Sequence, residues 1–133
     1  MADVNRGNRP LSPFMLGMHY RIQWTSASSL LTRITGNALI VGTVLVVWWL
    51  LALSVGPGPF ALADGVIRSW FGDLVLLGSL WALWFHLLAG LRHLVWSTGR
   101  MLEIHTAETF AKVITAGSFV LTALTVAGFW WLG

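Results

Sequence analysis

The chain has no cysteine, and only 10% of its 133 residues are charged. The first absence excludes a disulfide framework and any iron–sulfur cluster held by thiolates, so a redox centre here must use other side chains. The second excludes an ordinary soluble domain, in which about a quarter of residues carry charge. Acidic residues are the scarcest, five Asp and Glu against eight Lys and Arg. The first thirty or so residues are polar and mixed and lack the short apolar region of a secretory signal, so the first apolar run is expected to remain as a true membrane helix.

What the chain does have is apolar length. Hydrophobic residues make up 56% of it, and three stretches, Ile34–Val55, Leu74–Leu91 and Val113–Gly133, contain no Asp, Glu, Lys or Arg. Crossing a hydrocarbon core of roughly 30 Å takes about 20 apolar residues. The reading is an all-α membrane protein with three transmembrane helices, over residues 30–55, 70–96 and 110–132 of one domain spanning 1–133. The middle run is the shortest, so its helix is expected to continue past Arg92, with that side chain snorkelling to the interface. The tetrad GPGP at Gly56–Pro59 ends the first helix and marks a turn.

Arg6, Arg9, Arg21 and Arg33 precede the first span, and Arg92, Arg100 and Lys112 fall around the second connection, whereas the first connection, Gly56–Asp73, carries only Arg68. The positive-inside rule therefore places the N-terminus, with segment 1–28, and the second connection in the cytoplasm. Trp48, Trp49, Trp70, Trp130 and Trp131 then gather toward the outer ends of the spans, as an interfacial belt requires, with Trp24 and Trp96 toward the inner side. In the third span Thr115, Ser118, Thr122 and Thr125 recur at spacings of three and four, a weakly polar stripe suited to close helix contact. Glu103 and Glu108 read as solvated or helix-capping residues.

The segment FHLLAGLRHLVW, Phe85–Trp96, is where chemistry enters. At about 100° per residue His86 and His93 lie within about 20° of one another and Gly90 within about 40° of His86, so one helix face reads histidine, glycine, histidine. A glycine one turn from an imidazole leaves room for a flat macrocycle against the helix, and a neutral imidazole within the hydrocarbon is a good axial ligand for haem iron. The two histidines are separated by a rise of about 10 Å, too far to share one iron. His93, at the cytoplasmic edge, is placed to donate to a haem propionate. Two other readings of His86 stay open on spacing alone: a hydrogen bond to a neighbouring helix, or a proton relay. His93 reads equally as an interfacial histidine among headgroups. Arg92 projects from another side of the helix, toward lipid phosphate or a neighbouring subunit.

The other two spans offer no His or Cys, Met1, Met15, Met18 and Met101 lie outside the spans, and His19 and His105 fall in cytoplasmic segments. A six-coordinate haem would therefore need its second ligand from another polypeptide. At the mouth of the first span, SASSLLTRITG, Ser26–Gly36, puts Ser29 and Arg33 four residues apart on one face. An arginine there can meet a propionate or, with the serine, hydrogen-bond a quinone carbonyl. An arginine snorkelling to headgroups is the simpler alternative.

Three motifs, RPLSP at Arg9–Pro13, SSLLTRITG at Ser28–Gly36 and HLLAGLRHLVWSTG at His86–Gly99, resemble in order those of the cytochrome b subunits of succinate dehydrogenase. Those subunits are the larger of two small membrane anchors of respiratory complex II. The second motif is similar to the family's S-x-L-H-R-x-[ST]-G and the third to its H-x-x-x-G-x-R-H-x-x-x-D. The resemblance implies that His86 is the axial ligand of haem b, that His93 and Arg33 lie on the propionate side, and that Ser29 and Arg33 belong to a ubiquinone site. It also implies a bundle completed by a second small anchor subunit supplying the other haem ligand. The remaining implied partners are an iron–sulfur subunit, a flavoprotein subunit and the lipid bilayer, with no nucleic acid. Succinate would be oxidised on the flavoprotein; no dinucleotide fingerprint occurs here. The chain departs from the pattern at Thr32, where many members carry histidine, at Ser97, where aspartate is common, and at Phe14, where histidine is frequent. The expected location is a bacterial inner membrane rather than a mitochondrial one. Two alternatives stay open: a purely structural anchor, and a haem subunit of a related quinone-linked dehydrogenase such as a fumarate reductase.

Overall fold

The computed structural model describes residues 22–132. RPLSP, Phe14, Met1, Met15, Met18, His19, Arg6, Arg9, Arg21 and Gly133 lie outside the described residues. Four helices follow in order: α1 (Trp24–Val55), α2 (Pro57–Ile67), α3 (Trp70–Ser97) and α4 (Ile104–Leu132). α1, α3 and α4 are the three long apolar spans, and no strand occurs among the described residues.

The ends follow local chemistry. Before α1 the Gln23 backbone N–H donates to Ser26 Oγ, occupying a donor that a helix start would leave unpaired. α1 has 32 residues, about 48 Å at 1.5 Å per residue, so it outreaches the hydrocarbon core. It stops at Gly56, whose φ of 145° lies where side chains are strained. The prolines that end α1 also begin α2, because a proline in the first turn of a helix lacks only an N–H that would go unpaired anyway. The sequence reading took this connection for a turn and did not foresee a helix. Asp64 of α2 accepts from Trp49 Nε1 at 3.2 Å and pairs with Arg68 at 2.8 Å, tying α2 back onto α1. α3 runs five residues past Arg92 to Ser97, as its short apolar run suggested.

What is buried is mostly small, including Ala52, Ala82, Ala89, Ala107, Ala111, Ser28, Thr35, Ser118 and Thr122, with Phe85, Ile114 and Arg92 the large exceptions. Leucines, valines and tryptophans cover the outside. In lipid an apolar side chain gains little by turning inward, so the inner positions go to residues that let backbones approach. The stripe on α4 meets α3 through hydrogen bonds from Trp81 Nε1 to Ser118 Oγ at 3.1 Å and from Trp84 Nε1 to Thr125 Oγ1 at 3.0 Å.

α1 and α3 pack tightly at Gly42, where a Cβ would stand 2.5 Å from Ser79 Oγ and 3.0 Å from Ser79 Cβ. Gly42→Val is expected to cost about 1–3 kcal/mol through overpacking, read as a lower thermal midpoint of the purified complex. Pairing Gly42→Ala with Ser79→Gly should restore most of the loss that Gly42→Ala causes alone.

Arg92 does not snorkel. Its side chain turns into the bundle, leaving the residue 4% exposed. Arg92 Nη1 donates to Ser28 Oγ of α1 at 3.0 Å, and its guanidinium carbon lies 4.6 Å from the Trp96 ring centroid. The expectation of a lipid phosphate or neighbouring subunit is thereby corrected. Its position lies well round α3 from His86, on the side that packs, where a serine hydroxyl and an aromatic face substitute for water.

Candidate functional site

The site grows from the contact of α1 with α3. On α1, Ser28, Thr32 and Thr35 follow one another at spacings of four and three and turn toward α3. Their hydroxyls return to backbone carbonyls of the preceding turn, Thr32 Oγ1 to Ser28 O and Thr35 Oγ1 to Leu31 O, both at 2.8 Å. His86 of α3 meets this stripe with Nδ1 3.1 Å from the Thr32 carbonyl oxygen and 3.5 Å from Thr35 Oγ1.

The Thr32 contact decides the tautomer. A carbonyl can only accept, so Nδ1 carries a proton, and in the neutral imidazole Nε2 is left with its lone pair. Nε2 makes no hydrogen bond among the described residues. This is the arrangement in which metal-bound histidines are held: one ring nitrogen donates to a carbonyl and the other is free to ligate. The ring lies flat enough against α1 that a Cβ on Gly36 would stand 3.1 Å from its Cε1. Gly36 is therefore the glycine that seats the imidazole. Gly90, which sequence periodicity placed beside His86, has no described residue beyond its own stretch of helix within 4 Å of where its Cβ would be. The space over it is open.

The two flanks join into one surface. By helical rotation Ser29 lies about 20° and Arg33 about 60° from Gly36 on α1, while Gly90 and His93 lie about 40° and 20° from His86 on α3. The Gly36–His86 contact makes these flanks neighbours. Trp81, which bonds to α4, is about 140° round α3 from His86, so the surface opens on the side away from α4. Ser29, Arg33 and His93 are all exposed on it. His93 touches Trp96 edge-on, with ring centroids 5.3 Å apart. Ser29 and Arg33 share a flank of α1, as their spacing predicts, and Arg33 follows directly on the residue whose carbonyl holds His86.

Among the described residues no group of three His, Cys, Asp or Glu could hold a metal on its own. His86 is the one histidine there with a free ring nitrogen fixed by a neighbouring helix. This surface thus presents one imidazole with an unengaged ring nitrogen, a cation, a hydroxyl and a second imidazole.

Three features escaped the sequence reading. The Thr32 carbonyl has no side-chain signature. Gly36 is an isolated glycine in a spanning helix, which already signals a close approach. The Ser28–Thr32–Thr35 spacing is a helical stripe, and it could have shown which face of α1 packs.

Comparison with known proteins adds a family and near relatives. The model of the succinate dehydrogenase/fumarate reductase transmembrane subunit family matches residues 5–125. A succinate dehydrogenase cytochrome b556 subunit from Paracoccus denitrificans is 54% identical over 129 residues, 97% of this chain and 98% of that one. One from Rickettsia conorii is 32% identical over 116 residues, covering 87% and 89%. A succinate dehydrogenase cytochrome b560 subunit from Reclinomonas americana is 31% identical over 122 residues, covering 88% and 83%.

Proposed function

Because the chain belongs to the succinate dehydrogenase/fumarate reductase transmembrane subunit family, we propose that it is the haem b-holding membrane subunit of a succinate:ubiquinone oxidoreductase. One observation carries the haem reading: His86 is fixed by the Thr32 carbonyl and seated on Gly36 with its Nε2 lone pair free. When bound, a haem supplies reversible one-electron chemistry at its iron. His86 Nε2 would hold that iron from this chain's side. His93, the other imidazole on this surface, is a rise of about 10 Å along α3 and too far to share the iron, so a histidine or an equivalent donor would come from a second small membrane subunit. The exposed surface beside His86 is where that subunit packs. His93 and Arg33 stand on the propionate side, each as a donor to carboxylate.

Ser29 and Arg33 form part of the quinone pocket. Arg33 donates to a quinone carbonyl and Ser29 donates beside it, which orients the ring and stabilises charge as it is reduced. The iron–sulfur and flavoprotein subunits sit on the basic, cytoplasmic end of the bundle, where Ser29, Arg33 and His93 also lie. The membrane is a bacterial inner membrane.

The test uses the intact complex purified with Arg33→Leu beside the wild type. A charge-assisted hydrogen bond is worth about 1.5–3 kcal/mol, so succinate-to-ubiquinone activity should fall by roughly ten- to a hundredfold in kcat/KM. Succinate oxidation by a soluble dye should be unchanged, because that reaction does not need the membrane site. Unaltered quinone reduction by Arg33→Leu would remove Arg33 from the pocket.

A further inference from the structure

Arg92 is the least comfortable group in the bundle. It is 4% exposed, and among the described residues its Nε is buried with no hydrogen-bond partner and no carboxylate pairs with it. The ion pair found among the described residues joins Arg68 to Asp64, beside the connection between α2 and α3. The other described acids are Asp73 in the first turn of α3, and Glu103 and Glu108 at the start of α4. None reaches Arg92. A serine hydroxyl and the face of Trp96 solvate the guanidinium but do not cancel its charge. Retaining an unneutralised cation inside a membrane bundle is costly, and such groups are usually functional.

The charge stands six residues from His86 on the same helix, a rise of about 9 Å. It is also tied to the turn of α1 that holds His86. Arg92 bonds Ser28 Oγ, Thr32 Oγ1 bonds the Ser28 carbonyl, and His86 Nδ1 bonds the Thr32 carbonyl. We infer that Arg92 is a positioning residue whose fixed, unpaired positive charge favours the reduced state of the haem iron ligated by His86. This rests on the haem reading above. Reduction adds one electron to the iron and no compensating positive charge, so a cation held nearby in a poorly screened interior stabilises the reduced form. Burial and local charge are among the levers by which proteins set such potentials. For unit charges on the order of 10 Å apart at an effective dielectric of about 20, the effect is about tenfold in the ratio of reduced to oxidised haem at a fixed ambient potential.

The experiment is a spectroscopic redox titration of the purified complex, read at the haem absorption band and independent of turnover. Arg92→Gln removes the charge and should lower the midpoint by about 59 mV, the one-electron equivalent of that tenfold change. Ser28→Ala removes the hydrogen bond but leaves the charge, and should leave the midpoint close to wild type. Should Arg92→Gln not assemble, Ser28→Asp keeps the arginine and places a carboxylate against it, and the midpoint should fall as it does for the glutamine variant. A purely structural role would make Ser28→Ala as damaging as Arg92→Gln and would leave the midpoint of an assembled Ser28→Asp complex unmoved. A wild-type complex with no b-type band overturns the haem reading and this inference with it. A normal band whose midpoint moves in neither Arg92→Gln nor Ser28→Asp overturns this inference alone.

Discussion

Replacing His86 by alanine abolishes the low-spin b-type signal in the reduced-minus-oxidised spectrum of the complex, or converts it to a five-coordinate high-spin form, while the three spanning helices still assemble. That is the expected result because no other described residue can take over the position. His93 is seven residues along the same helix, about 10 Å away, and Met101 and His105 lie at the connection between α3 and α4, both exposed. Packing should tolerate the change. His86 is only half-buried, and the core residues of α3, Phe85 and Ala89, lie about 100° and 60° round the helix from it. His93→Ala is the control. It should keep the low-spin spectrum, since His93 is exposed and is proposed for the propionate side rather than for iron. An unchanged spectrum in His86→Ala would remove His86 as the ligand and leave the chain as a structural anchor.

The second large effect is expected at Gly36. A Cβ there falls 3.1 Å from His86 Cε1 and 3.6 Å from Nδ1. An alanine asks the ring to yield by a few tenths of an ångström, and the branched side chain of valine cannot be accommodated without displacing it. The displaced ring loses its bond to the Thr32 carbonyl, and with it the orientation of Nε2. Loss of such an orienting contact typically costs about 10–100-fold in metal affinity or activity. Gly36→Val should therefore yield complex with substoichiometric haem, measured as haem per flavin, and Gly36→Ala an intermediate value. Gly90→Ala is the informative comparison. Its Cβ meets nothing among the described residues, so any haem loss it causes would report on a bound macrocycle or on a partner subunit. Full haem occupancy in Gly36→Val would show that the seat on α1 is not what fixes His86.

These cases show how legible the protein was. The three spans could be read directly, because in lipid the composition of a helix and its location are nearly the same fact: a run without charge and long enough to cross has few other uses. His86 was legible for a related reason, since an imidazole in such a run is conspicuous. Ser29, Arg33 and His93 were placed on helix faces by periodicity, and the structure leaves all three on the open surface beside His86.

Arg92 was not legible. The sequence offered a positive residue near the end of an apolar run, and snorkelling is the usual solution for one. Whether it snorkels or turns inward depends on what another helix presents at the same height, and Ser28 lies 64 residues earlier. The glycines show the same limit. Periodicity puts Gly90 beside His86 within α3, but the glycine on which the ring rests is Gly36, in a different helix.

The sequence by itself determined the class of the protein, its three crossings and the residue types available for redox chemistry, because each depends on local composition and on spacing within one helix. The tertiary structure decided which ring nitrogen of His86 is free, which glycine seats it, where Arg92 points and which side of the bundle is open. Each of those depends on the register and rotation of α1 against α3, set by small residues and backbone carbonyls that carry almost no signal along the chain.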